Sequence, residues 1–155
     1  MTISTTITIT GLKEAQDKLA NIARELRGPA MDSAMRKATM IVTGAAKRNS
    51  PVDTGLLRAS ITPEVRHPFG NTVEGIVGSN VKYAPFMELG TKPHFPPLAA
   101  LATWARRHGT TAFIVCRAIA RRGLKPRFYL KKALEDNVKK VVWCFVEKIA
   151  ELCQR

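Results

Sequence analysis

Pro51-Val52-Asp53-Thr54-Gly55-Leu56-Leu57-Arg58-Ala59-Ser60-Ile61 is where the chain stops reading as helix and starts reading as strand, and that switch sets the class of the fold. Upstream, Met31, Ala34, Met35, Ala38, Ile41, Val42 and Ala45 recur at helical spacing. The residue before a proline is pushed out of the helical region, so Asn49-Ser50-Pro51 closes that helix. Asp53 is suited to bond its own backbone two residues on, and Gly55 supplies the positive φ of a tight turn. An extended run from Leu57 to Arg66 then completes a helix-turn-strand corner.

Toward the N-terminus, Leu12, Ala15, Leu19, Ile22, Ala23 and Leu26 form another helical stripe, ended or bent by Gly28-Pro29. One kinked helix or two separate ones therefore precede the corner. Before Gly11, Thr2 to Thr10 alternates threonine or serine with Ile3, Ile7 and Ile9, the pattern of a strand with one apolar face. Past the corner, Thr72 to Ser79 reads as a second strand, joined to the first by His67-Pro68-Phe69-Gly70-Asn71. Tyr83 to Leu89 predicts a short helical turn stopped by Gly90. Glu88 beside that glycine gains nothing from the dipole of its own helix, so a basic neighbour, on this chain or another subunit, is its expected partner.

A proline-rich link over 92–97 leads into Leu98 to His108 and Ala112 to Arg122, stopped by Gly109 and Gly123, which together predict a helical hairpin. From Leu130 the series Leu130, Leu134, Val138, Val141, Phe145, Ile149 and Leu152 predicts a final amphipathic helix of about six turns, packed on the sheet or the early helix. The class is α+β: a small antiparallel sheet packed by a long N-terminal helix, kinked or split, and a long C-terminal helix. At 155 residues the chain fits one domain, with 92–125 as a basic helical insertion.

Charge singles out that insertion. The net charge is +13, and +10 of it lies between Glu88 and Glu135, where ten lysines and arginines occur without one acid. Such a block suits a polyanion or an acidic protein face, or else a solvated surface that keeps the chain soluble. Arg106, Arg107, Arg117, Arg121 and Arg122 are the candidates for a DNA-facing or subunit-contact surface, with Arg117 and Arg121 one helical turn apart.

Reactive chemistry has little to stand on. No Walker or dinucleotide loop occurs, and Gly75-Ile76-Val77-Gly78 lacks both a following lysine and a following helix. His67, His94 and His108 form no helical pair with another ligand, and Asp53, Glu64 and Glu74 read as surface acids. Cys116, Cys144 and Cys153 have no metal-ligand spacing and read as small buried apolar residues. No apolar run is long enough to span a bilayer and no signal core precedes the first helix, so a soluble cytoplasmic product is expected. No catalytic residue, cofactor or metal is assigned.

The corner at 51–61, then Val77-Gly78-Ser79, Tyr83-Ala84, Glu88-Leu89-Gly90-Thr91 and finally Pro126-Arg127-Phe128-Tyr129-Leu130 resemble, in this order, the neck or tail-completion proteins of long-tailed bacteriophages. That resemblance implies a non-enzymatic component of the head-tail junction, a neck or tail-terminator ring of six or twelve subunits around the DNA channel. In it Asp53, Thr54 and Gly55 would shape the corner, and Tyr83, Glu88 and Gly90 the strand-helix junction. Connector or stopper proteins, tail-tube proteins and genomic DNA would be its neighbours. Its place would be the virion, after assembly in the host cytoplasm, with no membrane. A free basic nucleic-acid-binding protein is the alternative, resting on charge alone: the chain has two Trp, two Tyr and no aromatic-rich strand motif. A phage hydrolase using Asp53 or Glu88 ranks third.

Overall fold

The structure, a computed structural model, describes residues 12–68, 70 and 72–154. The alternating Thr2–Thr10 segment lies outside those residues. The described elements run α1 (Leu12–Leu26), α2 (Pro29–Asn49), α3 (Leu56–Ser60), β1 (Ile61–Arg66), β2 (Glu74–Ser79), α4 (Ala84–Leu89), α5 (Leu98–Arg107), α6 (Ala112–Arg122), α7 (Tyr129–Glu135) and α8 (Val138–Cys153). This is the expected α+β class: helices around one small antiparallel sheet.

Helix α2 is the centre, because the β-hairpin, α7 and α8 all pack on it. Pro29 starts it in a position where its missing N–H costs nothing, and Lys47 and Arg48 fall in the last turn, where cations favour the dipole. Ser50 ends it with ψ 138°, as Pro51 requires, its hydroxyl donating to the Lys47 carbonyl at 2.9 Å. The buried face is built from Ala30, Ala34, Ala38, Ala45 and Ala46 with Val42, side chains small enough to bring neighbouring backbones close. Gly75 of β2 exploits this: a Cβ there would lie 2.5 Å from the Met35 sulfur and 2.6 Å from Thr39 Cγ2. The sheet is thereby seated directly on α2.

Strands β1 and β2 pair antiparallel, from Ile61 opposite Ser79 to Arg66 opposite Glu74. The expected strand from Leu57 is shorter by its first four residues, which form α3 together with Leu56. Burial explains the difference: turning Leu56–Ser60 into a helix points Leu57 into the core before Ile61 begins the strand. Gly55 precedes it with φ 82°, the positive value expected.

The predicted last helix is two helices. Asp136 and Asn137 break it, and the buried Asn137 amide donates to the Ala133 carbonyl at 2.9 Å. The burial phase changes with the break. Tyr129, Ala133, Cys144 and Leu152 are buried, whereas Leu134, Val138 and Ile149 of the expected stripe are exposed. As expected, α8 packs on α2, where Lys37 also pairs with Glu147. Cys116 and Cys144 are buried, but Cys153 is exposed at the end of α8, against the reading of all three as core.

Tyr129 is the largest fully buried side chain and sits in the main cluster with Val42, Ala46, Leu57, Ile61 and Ala84. Burial, and secondarily the charge of Glu88, raise its phenol pKa above the ordinary value. Its hydroxyl has no hydrogen-bond partner among the described residues. A buried hydroxyl without a partner opposes folding. Tyr129→Phe is therefore expected to leave thermal stability unchanged or raise it by about 1 kcal/mol, while Tyr129→Ala should cost about 3–5 kcal/mol. A clear loss in the phenylalanine variant, read by denaturant titration, would show that the hydroxyl is stabilising.

Candidate functional site

Three separated segments of the sequence converge at one junction. Helix α4 ends at Leu89, and its last carbonyls need partners from outside the helix. The chain after the insertion supplies them: Arg127 N–H donates to the Met87 carbonyl at 3.0 Å and Phe128 N–H to the Glu88 carbonyl at 3.1 Å. The exchange runs both ways. The Glu88 carboxylate accepts the backbone N–H of Leu130 at 2.9 Å and of Lys131 at 3.0 Å, two of the free donors at the start of α7. Glu88 thus caps a helix 42 positions further along the chain. This corrects the expectation of a basic side chain as its partner. The dipole does reward the acid, but it is that of α7 rather than of α4.

Phe128, at the N-cap of α7, has φ 51°, a left-handed value that a non-glycine residue adopts at a cost. The bond to the Glu88 carbonyl and the buried Tyr129 next to it hold it there.

Beside this junction the base of the insertion closes as a clasp. Thr91 N–H donates to the Leu124 carbonyl at 3.0 Å, and Leu124 N–H donates to Thr91 Oγ1 at 3.1 Å. Gly90 and Gly123 flank the two strands of the clasp, and the backbones approach too closely there for any side chain. The insertion therefore leaves and re-enters the body at one point. Its helices α5 and α6 pack on each other, burying Ala105, Cys116 and Ile119 between them.

Asp53, Thr54 and Gly55 of the corner make local and long-range contacts rather than lining the groove beside Pro51. Thr54 Oγ1 accepts the Leu56 N–H at 3.4 Å, taking the local turn bond expected of Asp53. Asp53 instead reaches the insertion, where its Oδ2 accepts from Arg107 Nη2 at 2.6 Å. Both side chains are part-exposed, so the pair is worth at most about 1 kcal/mol, but it fixes the hairpin against the corner. Asn49 and Pro51 also line a groove of about 410 Å³ with Pro126, Arg127, Lys132 and Asp136, so the first and third segments are neighbours. Tyr83 is exposed at the start of α4.

The five candidate arginines do not form one surface. Arg107 is engaged by Asp53, and Arg106 lies about 100° round the helix from it. Arg117 and Arg121 share the outward face of α6, opposite buried Cys116 and Ile119, and Arg122 is turned about 100° away from Arg121. None of Arg106, Arg117, Arg121 and Arg122 has an acidic partner among the described residues. Two neighbours of Arg117 and Arg121 drew no attention in the sequence. Phe113 and Ile114 lie on the same face and are 58% and 60% exposed. Their place one turn from Arg117 is the signal that could have found them.

Among the described residues, no three His, Cys, Asp or Glu side chains are grouped to hold a metal ion, and no helix is long and apolar enough to cross a membrane. No curated protein and no solved structure matches the chain. A family profile described as "Bacteriophage HK97-gp10, putative tail-component" matches residues 13–90, half of the chain. The match spans α2, the corner, the β-hairpin and α4, and it stops at Gly90 where the clasp begins. With these elements matched in order, the chain belongs to the HK97-gp10-like family of bacteriophage tail components.

Proposed function

We propose that this chain is a non-enzymatic subunit of a cyclic ring at the head-tail junction of the phage particle, in the neck or tail-completion position. The ring has six or twelve copies, encircles the channel through which genomic DNA passes, and sits between connector or stopper proteins and the tail tube. Each subunit would meet its neighbours through two different surfaces, a heterologous contact that closes by rotation. Assembly takes place in the host cytoplasm and the finished ring resides in the virion.

The observation that carries this reading is that the family's own segments are half core and half uncovered. Leu57 and Ala84 are buried, while Val52, Leu56, Tyr83, Phe86 and Leu89 stand exposed beside them in sequence. Helix α8 adds Val138, Val142, Val146 and Ile149, four exposed apolar residues along one stripe. Exposed apolar side chains grouped in this way are what assembly covers.

Immunogold microscopy on intact particles, and on separated heads and tails, tests the reading. Label at the junction is the expected result, and its retention on heads or on tails distinguishes the neck from the terminator position. Particles without label, with the protein free in the lysate, would sink the junction reading and favour a free nucleic-acid-binding protein, which the +13 charge would suit.

A further inference from the structure

We propose that the outward face of α6 docks onto an acidic protein surface that also offers an apolar pocket, on a virion protein other than this chain. The proposal rests on the junction reading, which supplies the neighbour, and it decides what the basic insertion faces.

Four residues define the surface. Phe113, Arg117 and Arg121 follow at intervals of four, and Ile114 lies about 20° beyond Arg121 in angle, so all four fall within about 100° of arc on the helix side turned away from α5. Phe113 and Ile114 are among the most exposed large apolar residues of the described chain, and the arginines have no acidic partner there. Water gives a phenylalanine and an isoleucine no reason to stand out together, whereas arginine beside an aromatic anchor is the composition of a protein interface and of its energetic centre. A channel holding DNA in any sequence would contact phosphates, which call for cations and polar donors rather than apolar side chains. Apolar wedges belong to proteins that unstack and kink the duplex, which would obstruct its passage.

Net charge disfavours a second copy as the occupant. The interval between Glu88 and Glu135, which contains the insertion, carries +10 and no acid, and the rest of the chain is itself net positive at +3, the remainder of the +13. Two acids near the insertion are already committed: Asp53 to Arg107 and Glu88 to α7. A different, acidic polypeptide meets the basic face with less repulsion than a second copy of this net-positive chain.

Particles assembled with the chain supplied in trans, carrying the photo-crosslinker p-benzoylphenylalanine in place of Phe113, test this directly. The expected product joins α6 to an acid-rich peptide of another virion protein. Crosslinks to DNA or to a second copy, or none although the chain is at the junction, would overturn the proposal and leave the junction reading intact. Absence of the unsubstituted chain from particles would overturn both. A second measurement compares Phe113→Ala/Ile114→Ala with Arg117→Ala/Arg121→Ala, each checked for unchanged circular dichroism. Both pairs are expected to cut incorporation into particles by about tenfold or more, the loss of an interface anchor. Normal incorporation of the apolar pair alongside failure of the arginine pair would mean a DNA-facing surface.

Discussion

Gly123→Ala is expected to destabilise the protein by about 3–5 kcal/mol, whereas Gly109→Ala, also at positive φ, should cost about 1–2 kcal/mol. Gly109, with φ 64°, has nothing within 4 Å of where a Cβ would stand, so only backbone strain is paid there. Gly123 combines φ 67° with ψ −167°, a region that glycine alone occupies readily, and a Cβ would lie 2.0 Å from the Thr91 carbonyl oxygen. That oxygen is backbone and cannot rotate aside. The chain can accept the methyl only by parting the two strands of the clasp, which loses the Thr91–Leu124 hydrogen bonds. Gly90 faces the same constraint from the other strand, 2.4 Å from the Leu124 carbonyl oxygen. For a chain of this size each kcal/mol shifts the melting temperature by about 2–4 °C, so Gly123→Ala should melt about 10 °C lower and Gly109→Ala only a few degrees lower. Equal shifts in the two variants would mean that the close approach at the clasp contributes nothing.

What could be read in the sequence was what the chain determines locally. The ends of α1, α2, α4, α5 and α6 follow from Pro29, Pro51, Gly90, Gly109 and Gly123, because prolines and left-handed glycines act on their own few residues. The misreadings share the opposite cause. Helix α3 exists because Leu57 reaches a core formed by α2, α4 and α7, which no window of a few residues contains. The break before α8 was hidden because Leu134 and Val138 keep helical phase across it, although both are exposed. Asp136-Asn137, two residues that favour turns, was the available sign.

The candidate site divides in the same way. The charge block was plain in the sequence, but which arginines share a face with Phe113 and Ile114, and which one Asp53 engages, depends on how α5 and α6 fold back on the body. The resemblance named the segments around Glu88 and Phe128 without a physical link between them. The link is hydrogen bonding across the base of the insertion, so either segment alone is left with unpaired backbone groups. An insertion of varied length can be tolerated between them because its two ends are fixed at one point.

Glu88→Ala tests that link and should lower stability by about 2–3 kcal/mol. The carboxylate takes two backbone N–H groups, and charge-assisted bonds of this kind contribute about 1.5–3 kcal/mol each when buried. Leu130 is half-buried and Lys131 exposed, so water replaces part of what is lost and the sum is discounted. Glu88→Gln keeps one acceptor oxygen but turns an NH₂ group toward the other N–H and removes the charge from the start of α7, and about 1–2 kcal/mol is expected. Glu88→Asp, shorter by one methylene, cannot span both donors and should fall near the glutamine variant. All three are measured on the isolated subunit, which separates the two roles open to this residue. If Glu88 served to pair with a cation on a neighbouring subunit, as its position at the end of α4 first suggested, the isolated variants would melt like the parent and the defect would emerge only on assembly. A loss in the isolated chain, ordered alanine, then glutamine and aspartate, assigns it to joining α4 to α7 within one subunit, the contact by which the body closes beneath the basic hairpin.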